Sequence, residues 1–488
     1  MTVERITLAP GFDISRVLTG LWQIADLERN GTPLDPARTA ASMAPYVAAG
    51  FTTFDLADHY GSAEDIVGAF RVSHPESASA RFFTKWVPKP GPVTRDDVRT
   101  AVDRALIRMK ASRIDLLQFH AWNYADPSWL DALFHLDELR RDGLIGHLGL
   151  TNFDTAHLRI AVASGIPILT NQVSFSLLDQ RAAGRMASFC REHRVHLLAY
   201  GTVAGGWLSA KWLGKSEPDW ERTGTWSQMK YGRFLRTAGG WPALQRVLTV
   251  LDGIARRLGV SVTNVATRYI LEQPAVAGVI IGARLGEAEH ITDNARLFDF
   301  SLTDGDKDEI QAVLTTLTPI PGDTGDEYRK PPFLTASGDL SHHLEKVPSP
   351  YQTVSGAEGK TLCLSGTSWE SAAGFSRAVR IGDRVLVSGT TATHGPRHIG
   401  GNDPAAQAHF AIDKLEGALQ SLGGCLEQTV RTRIYVRNME DWEPVARAHG
   451  ERFGAIRPAN TLVRADLVGE EYLVEIEAEA VVPPPTGA

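Results

Sequence analysis

The chain has 488 residues, which is too long for one compact core and predicts two domains or three. Hydrophobic residues make up 43% of it and charged residues 22%, values typical of a soluble globular protein rather than a disordered or fibrous one. The formal net charge is -7, so we expect no basic surface for nucleic acid, and nothing calls for a membrane partner.

Cysteine usage and the lack of long apolar stretches narrow the class further. Cys190, Cys363 and Cys425 form no CxxC pair, so we expect three small buried side chains rather than a metal cage or a disulfide framework. The first residues show no signal-peptide pattern, and no run of about 18 apolar residues predicts a membrane span. We therefore expect a cytoplasmic protein.

The first 300 residues alternate short apolar runs with amphipathic stretches. The runs are residues 17–25, 52–57, 81–87, 114–120, 147–152, 168–175, 196–201 and 277–283. Between them lie helical patterns, such as residues 97–109, where Val98, Val102 and Leu106 recur on one face. Eight strands, each followed by a helix or a long loop, predict an α/β protein with a (β/α)8 TIM barrel.

Polar side chains stand near the ends of these apolar runs. They are Asp55, Lys85, His120, Thr151, Asn152, Gln172 and Tyr200. In such a barrel the loops that follow the strands form one rim, and the chemistry sits there. We therefore expect these side chains to meet at the C-terminal rim.

Four segments stand apart from the barrel pattern. Residues 205–241 form a long insertion with five of the 11 tryptophans, which favours an ordered lid over a linker. Residues 319–333 and 341–350 are rich in proline, glycine and polar residues and predict connecting chain, with the linker itself at 336–350 after a barrel domain at 1–335. Residues 351–488 predict a smaller α+β domain, whose pattern is clear from residue 375.

Several cofactor motifs are absent from the chain. No GxGxxG follows the first strand and no GxxxxGK[ST] occurs, so neither a Rossmann dinucleotide site nor a phosphate loop is supported. No cluster of His, Cys and Glu has the spacing of metal ligands. His342 and His343 are adjacent, but they lie in the connecting chain, where we expect a solvated loop and no metal.

Four residues near the rim could carry chemistry together: Asp55, Tyr60, Lys85 and His120. A tyrosine phenol has a pKa of about 10, and a buried ammonium beside its oxygen would lower that value. Lys85 could supply this charge, and Asp55 could keep Lys85 ionised. His120 could donate a hydrogen bond to a carbonyl oxygen. The set would then give a proton to an oxygen that becomes negative as hydride arrives.

Each of these residues also has a structural explanation. Lys85 and Asp55 alone could form an ion pair at the barrel end. Tyr60 alone could be a packing residue, and His120 alone could be a core histidine. The convergence of all four on one rim favours catalysis.

At this point the sequence resembles the aldo-keto reductase family. FDLADHYGSAE is similar to the family's FDTAxxYGxxE, and FFTKW, DLLQFH, GLTNF and NQVSFSLLD resemble its later motifs in the same order. The resemblance covers about residues 1–335. It implies direct transfer of a hydride from C4 of a nicotinamide to a carbonyl carbon.

The resemblance also implies roles for single residues. Tyr60 would be the general acid in reduction and the base in oxidation, tuned by Lys85 and Asp55. His120 would orient the carbonyl. The implied cofactor residues are Thr151, Asn152 and Gln172 at the nicotinamide carboxamide, Tyr200 stacked on the ring, and Gly20 and Gly201 nearby.

The last barrel strand is implied to hold the phosphate end of the cofactor. IIGARLGEAEHITDN resembles the family segment in which a basic residue lies ten positions before an asparagine, and Arg284 and Asn294 fit that spacing. Arg284 could pair with a 2′-phosphate, which favours NADPH and leaves NADH open. His290 stands where many members have a second arginine, which weakens this preference.

The substrate is specified only as a small carbonyl compound. Trp22, Trp86 and Trp122 follow three of the strands and could line an aromatic pocket. Aromatic walls suit aldehydes, ketones and sugar faces alike, so the choice among these stays open.

Residues 375–483 resemble the RidA (YjgF/UK114) family of small α+β proteins, on RIGDRVLVSG, RTRIYVRNMEDW and RPANTLV…LVEIEAEAV. Active members hydrolyse enamines and imines with a carboxylate-binding arginine and a glutamate about 15 residues later. Glu475 keeps that spacing, but Asn460 stands where the arginine would be and offers no cation. Arg464 could face the same side of the strand as Asn460. The family usually forms trimers, so we expect a homo-oligomer, a trimer through this domain.

Three functions remain to be weighed. The first is NAD(P)H-dependent reduction of an aldehyde or ketone to an alcohol, with Tyr60 as proton donor. The alternative is a bifunctional enzyme that couples imine or enamine processing in the C-terminal domain to reduction in the barrel, and Asn460 argues against its typical form. The third is an NADPH sensor without turnover, which the four-residue set argues against. We predict the first.

Overall fold

A closed barrel of eight parallel strands forms the first part of the protein. The structure is a computed structural model that describes residues 3–25, 31–220, 224–287, 290–336 and 348–483. A hairpin of β1 (Arg5–Ala9) and β2 (Phe12–Ser15) precedes the barrel. The barrel strands are β3 (Val17–Gly20), β4 (Thr53–Asp55), β5 (Arg81–Trp86), β6 (Ile114–Phe119), β7 (Ile145–Thr151), β8 (Ile168–Ser174), β9 (His196–Tyr200) and β10 (Val276–Gly282). Strand β10 pairs with β3 and closes the ring, which confirms the predicted fold.

Helices surround the barrel and continue beyond it. They are α1 (Pro36–Ala40), α2 (Ala44–Ala48), α3 (Ala63–Ser73), α4 (Arg95–Arg108), α5 (Ser128–Arg141), α6 (Thr155–Ala163), α7 (Arg185–His193), α8 (Trp226–Thr237), α9 (Gly240–Leu258), α10 (Val262–Leu271), α11 (Ile291–Ala295), α12 (Asp304–Leu314) and α13 (Asp326–Arg329). Local signals set several bounds. A capping box of Thr94 and Asp97 begins α4, and Gly259 ends α9 in a left-handed conformation.

Strand alternation decides which side chains enter the barrel. Phe83 packs inside the barrel against Leu18, Leu116 and Leu198, and fills the end opposite the C-terminal rim. Lys85 lies two residues further along the same strand and therefore on the same inward face. The barrel interior is thus apolar at one end and polar at the C-terminal rim.

The insertion after β9 packs on an aromatic cluster, so its described part is ordered rather than a linker. The rings of Trp207, Trp212, Trp220 and Trp241 lie with centroids between 4.7 and 6.1 Å apart. Helix α8 lies between Trp220 and Trp241 in the chain, and its Lys230 lies over the ring of Tyr200 at the mouth of the barrel. In the described part of the insertion, helix and aromatic packing replace extended chain.

The C-terminal part is a seven-stranded sheet with two long helices on one face. Its strands, in spatial order, are β11 (Gln352–Ser355), β12 (Lys360–Leu364), β13 (Ala378–Ile381), β14 (Arg384–Thr390), β19 (Val474–Val481), β17 (Thr429–Val436) and β18 (Ala459–Arg464). A small hairpin of β15 (Thr393–His394) and β16 (Arg397–His398) stands beside it. The helices are α14 (Ser368–Ala373), α15 (Pro404–Ser421) and α16 (Trp442–Phe453). Strands β13 and β14 form a hairpin that turns at Gly382-Asp383, within the pattern that the sequence shows from residue 375. Strands β11 and β12 precede that pattern and were not predicted.

The two parts share a continuous interface. Ile399 and Phe410 of the C-terminal part are fully buried in the same apolar core as the barrel helices. Polar contacts surround this core, such as Arg159 to Asp403 at 2.7 Å. The proposed linker at 336–350, with His342 and His343, lies mostly outside the described residues.

The structure also describes the cysteines, and it bears on the expectations about membrane spans and metal sites. All three cysteines are free, and Cys190 and Cys363 are buried, but Cys425 is only half-buried, at the start of a short helical turn. Within the described ranges, no helix is long and apolar enough to cross a membrane, and no group of three or more His, Cys, Asp or Glu could hold a metal ion.

Candidate active site

A buried ion pair stands at the C-terminal rim of the barrel. Lys85 donates from Nζ to Oδ2 of Asp55 at 2.7 Å and to the carbonyl oxygen of Leu56 at 2.9 Å. The other carboxylate oxygen of Asp55 accepts from Gln118 at 3.1 Å and from Gln172 at 2.7 Å. Lys85 and Asp55 are only 4% and 3% exposed, so each charge depends on the other.

Tyr60 lies directly over this pair. The loop after β4 carries it, and its ring centroid is 5.1 Å from Nζ of Lys85. The ring of Trp22 meets the Tyr60 ring edge to face, at a centroid distance of 5.1 Å. The structure therefore brings Asp55, Tyr60 and Lys85 together as predicted.

The pKa of Tyr60 is shifted upwards, whereas the sequence predicted a lowering by Lys85. Burial raises the pKa of Tyr60 well above its ordinary value, and the nearby Asp55 carboxylate raises it further. Burial also lowers the pKa of Lys85, although the ion pair with Asp55 opposes that shift. Because Asp55 neutralises the ammonium at 2.7 Å, little of its charge acts on the phenol.

His120 stands on the neighbouring strand end. Its Nδ1 lies 3.3 Å from the carbonyl oxygen of Thr151, a contact that sets the orientation of the ring. The rings of Trp122 and Tyr328 meet the imidazole edge to face, at centroid distances of 4.4 and 5.7 Å. His120 thus completes the predicted group at the rim.

The expected nicotinamide residues form a connected network. Tyr200 donates from its hydroxyl to Oδ1 of Asn152 at 2.7 Å. Thr151 donates to the carbonyl oxygen of Gln172 at 3.3 Å, and Gln172 gives its amide hydrogens to Asp55 and Gln118. These bonds are consistent with Asn152 offering its Nδ2 donor, and Gln172 its Oε1 acceptor, to a ligand.

Two segments in which the sequence analysis singled out no site residue also reach the rim. Lys230 on α8 donates to the Tyr328 hydroxyl at 2.6 Å, and that hydroxyl is 3.3 Å from the hydroxyl of Tyr200. Arg329 donates to the carbonyl oxygen of Asn152 at 2.7 Å. Tyr328 and Arg329 belong to a stretch whose composition predicts connecting chain, so no local signal indicated them.

The segment after β10 carries the residues expected at the cofactor phosphates. Arg284 is exposed in the loop after β10, and Asn294 lies on α11. Gly20 accepts from the backbone N–H of Ala283 at 2.9 Å and so joins this loop to β3. His290 is exposed at the start of α11.

Comparison with known proteins decides the family of the larger part. The family model described as Aldo/keto reductase family matches residues 16–315, which is more than half of the chain. The chain belongs to the aldo/keto reductase family. Protein tas of Escherichia coli is 29% identical over 280 residues, which are 53% of this chain and 77% of that protein. A glycerol dehydrogenase from Gluconobacter oxydans shares the fold, at 23% identity and a TM-score of 0.52, over 64% of this chain and 94% of that one.

The C-terminal part of this aldo/keto reductase matches a second family. The model described as Endoribonuclease L-PSP covers residues 366–482. Rv2704 from Mycobacterium tuberculosis, a member of the YjgF/YER057c/UK114 family, is 44% identical over 25% of this chain and 99% of that one, at a TM-score of 0.23. The reductase barrel is therefore followed by a RidA-like domain, as the sequence predicted.

The aromatic residues expected to line the reductase pocket divide into two sets. Trp22 and Trp122 lie against Tyr60 and His120 at the rim. Trp86 instead packs on Phe119, in the core between strands and helices. It follows the inward-facing Lys85 on β5 and therefore points outward. The structure does not bring Trp86 into the rim group.

The two residues singled out in the RidA-like domain lie apart within one chain. Asn460 donates to Thr432 at 2.9 Å, on the sheet face that the helices cover. Arg464 lies on the same face as Asn460, in the register expected from the sequence. Glu475 is on the opposite face, and burial raises its pKa. A single chain therefore forms no site from Asn460 and Glu475 together.

Proposed function

We propose that the barrel reduces an aldehyde or ketone to the alcohol with a nicotinamide cofactor, and that Tyr60 supplies the proton. The observation that carries this proposal is the Lys85–Asp55 ion pair, buried beneath Tyr60 at the C-terminal rim. Such a rim is where barrel enzymes place their chemistry. Residues 1–335 would form this catalytic unit.

The polar groups at the rim fit a nicotinamide carboxamide. The Oδ1 atom of Asn152 already accepts a hydrogen bond from Tyr200, so Asn152 would donate from Nδ2 to the carboxamide oxygen. The two N–H groups of Gln172 already donate to Asp55 and Gln118, so Gln172 would accept a hydrogen bond from the carboxamide nitrogen through Oε1. One donor and one acceptor are the complement of a primary amide. When bound there, the cofactor supplies a hydride to the carbonyl carbon.

The chain's own residues handle the proton. The raised pKa of Tyr60 keeps the phenol protonated at neutral pH, and a protonated phenol is what reduction requires. As the carbonyl oxygen gains negative charge, the O–H of Tyr60 would pass its proton to that oxygen. Lys85 then lies beside the phenolate that remains, and Asp55 holds Lys85 in place. His120 would orient the carbonyl from the neighbouring strand.

NADPH is the cofactor we propose, and a trimer is the proposed assembly. The exposed guanidinium of Arg284 supports the first, because it suits a 2′-phosphate. Exposed Ile381, Leu386, Val463 and Val481 on the C-terminal sheet support self-association through that domain.

The test is the oxidation of NADPH by the full chain with a panel of aldehydes and ketones. We expect Tyr60→Phe to lower kcat by about a hundredfold to ten-thousandfold, because the proton donor is gone. NADPH binding, followed by protein fluorescence, should persist. Tyr269→Phe is the matched control, since its hydroxyl binds Gln311 on the outer helices. Full turnover by Tyr60→Phe would refute the assignment.

A further inference from the structure

Lys230 is a partly buried cation at the mouth of the barrel. Its ammonium lies over the rings of Tyr200, Tyr231 and Tyr328, at 4.8, 5.4 and 4.8 Å from the centroids. It donates to the Tyr328 hydroxyl at 2.6 Å. Burial alone would lower the pKa of Lys230, but the surrounding phenols raise it, so the group stays charged.

Two other cations near the rim each have a carboxylate partner at short distance, whereas Lys230 does not. Lys85 is paired with Asp55 at 2.7 Å, and Arg181 with Glu327 at 2.9 Å. Within the ranges that the structure describes, no carboxylate oxygen lies within 4.0 Å of the Lys230 ammonium. Glu327 is close enough to act on it electrostatically, but its carboxylate is already bound by Arg181. A partly buried ammonium without a carboxylate partner is stabilised by an anionic ligand.

Tyr328 connects Lys230 to the proposed reacting groups. The ring of Tyr328, which receives the ammonium's hydrogen bond, lies 5.7 Å from the imidazole of His120. The phenols of Tyr328 and Tyr231 are near enough to Tyr60 to raise its pKa. A carbonyl held by Tyr60 and His120 would therefore extend towards Lys230.

We propose that Lys230 binds a carboxylate on the substrate, so that the barrel reduces oxo acids, meaning aldehydes or ketones that also carry a carboxylate. This rests on the proposed function. An ammonium has three N–H donors, and Tyr328 takes one, so two remain for the carboxylate oxygens. One cation balances the single charge of a carboxylate, whereas a phosphate dianion would stay under-compensated.

The experiment compares acids with their own neutral esters in NADPH oxidation by the full chain. The probes are 4-formylbenzoate and its methyl ester, and succinic semialdehyde and its methyl ester. The readout is the ratio of kcat/KM for acid over ester. We expect the ratio to favour the acid by about tenfold or more, and Lys230→Met to lower it by about tenfold to a hundredfold. Lys230→Arg, which keeps the charge, should restore part of the ratio.

Two further variants and a measurement of NADPH binding distinguish the possible causes of a change in the ratio. Lys215→Met removes an exposed lysine from the same insertion and should leave the ratio unchanged. Tyr328→Phe removes the hydroxyl partner of Lys230 and should lower the ratio even if Lys230→Met misfolds. Esters reduced as well as acids by the unaltered chain would overturn the Lys230 assignment alone. So would an equal loss for acid and ester in Lys230→Met with weaker NADPH binding, since that outcome assigns the ammonium to the cofactor. No turnover of any probe would overturn the proposed function itself.

Discussion

His157 of the barrel lies between two buried carboxylates, one from each domain. Its Nδ1 is 2.6 Å from Asp154, and its Nε2 is 3.1 Å from both carboxylate oxygens of Asp413 on α15. Arg452 on α16 binds the same Asp413 at 2.5 Å. Asp154 caps the N-terminus of α6, two residues after Asn152. The RidA-like domain is thus tied to the loop expected to hold the nicotinamide.

Removal of Asp413 should destabilise the whole protein. Asp413→Ala leaves His157 and Arg452 buried with one carboxylate fewer, and breaking a buried ion pair costs about 3–5 kcal/mol. Denaturant unfolding of the full chain measures this loss. Glu443→Ala is the control, because Glu443 and Arg447 form an exposed pair within one helix, where we expect a cost under about 1 kcal/mol. Equal losses of unfolding free energy in the two variants would show that the interdomain ion pair contributes no more stability than the exposed pair.

The same histidine should make stability depend on pH. Burial alone would lower the pKa of His157, but Asp154 and Asp413 raise it above the unfolded value of about 6.5. The stabilisation is therefore complete below about pH 6.5 and is lost as the pH rises through the folded pKa. Both carboxylates stay ionised in this range, because the charged His157 lowers their pKa values against the effect of burial.

The measurement is the melting temperature from pH 6 upwards for the unaltered chain and for His157→Gln. We expect the difference between the two to shrink as the pH rises. The comparison with a variant is needed because burial lowers the pKa of His409 on α15. A histidine with a lowered pKa makes the stability rise with pH, which is opposite to the effect of His157. A difference that is constant with pH would mean that His157 is neutral in the folded protein.

Gly201 should be required for the lid to pack. It has a φ of +75°, and a Cβ there would lie 2.7 Å from Cε1 and Cζ of Tyr231 on α8. Gly214 has a similar φ of +70° with nothing within 4 Å, so Gly214→Ala carries the backbone strain without the clash. We expect Gly201→Ala to be less stable than Gly214→Ala by about 1–3 kcal/mol, measured by denaturant unfolding. Equal stabilities would place the lid away from Gly201 in solution.

Local sequence patterns were enough to predict the barrel and the residues beneath Tyr60. Asp55 ends β4 and Lys85 is the last residue but one of β5, and the parallel barrel brings strand ends to one rim whatever the details of the loops. The same alternation places Trp86 on the outer face, one position after Lys85, and the pocket prediction overlooked it.

Contacts between distant segments could not be predicted in this way. Lys230 reaches the rim from the insertion at residues 205–241, and Tyr328 and Arg329 reach it from residues 319–333, which were predicted as connecting chain. Only the folded chain brings these residues together. The direction of the Tyr60 pKa was also missed. It depends on burial and on how fully Asp55 neutralises Lys85, and neither is visible in sequence spacing.

Cofactor choice should depend on Arg284 and respond to His290. The Arg284 side chain is exposed, so it has no buried ion pair to lose, and its removal should act through the ligand. We expect Arg284→Ala to raise KM for NADPH by about tenfold to a hundredfold and to leave KM for NADH nearly unchanged. His290→Arg should shift the preference further towards NADPH, because a second guanidinium would add a positive charge to the segment expected to bind the 2′-phosphate. Arg256→Ala, an exposed position on α9, is the control. Equal effects on both cofactors would mean that Arg284 binds the shared diphosphate instead, and the preference for NADPH would lose its support.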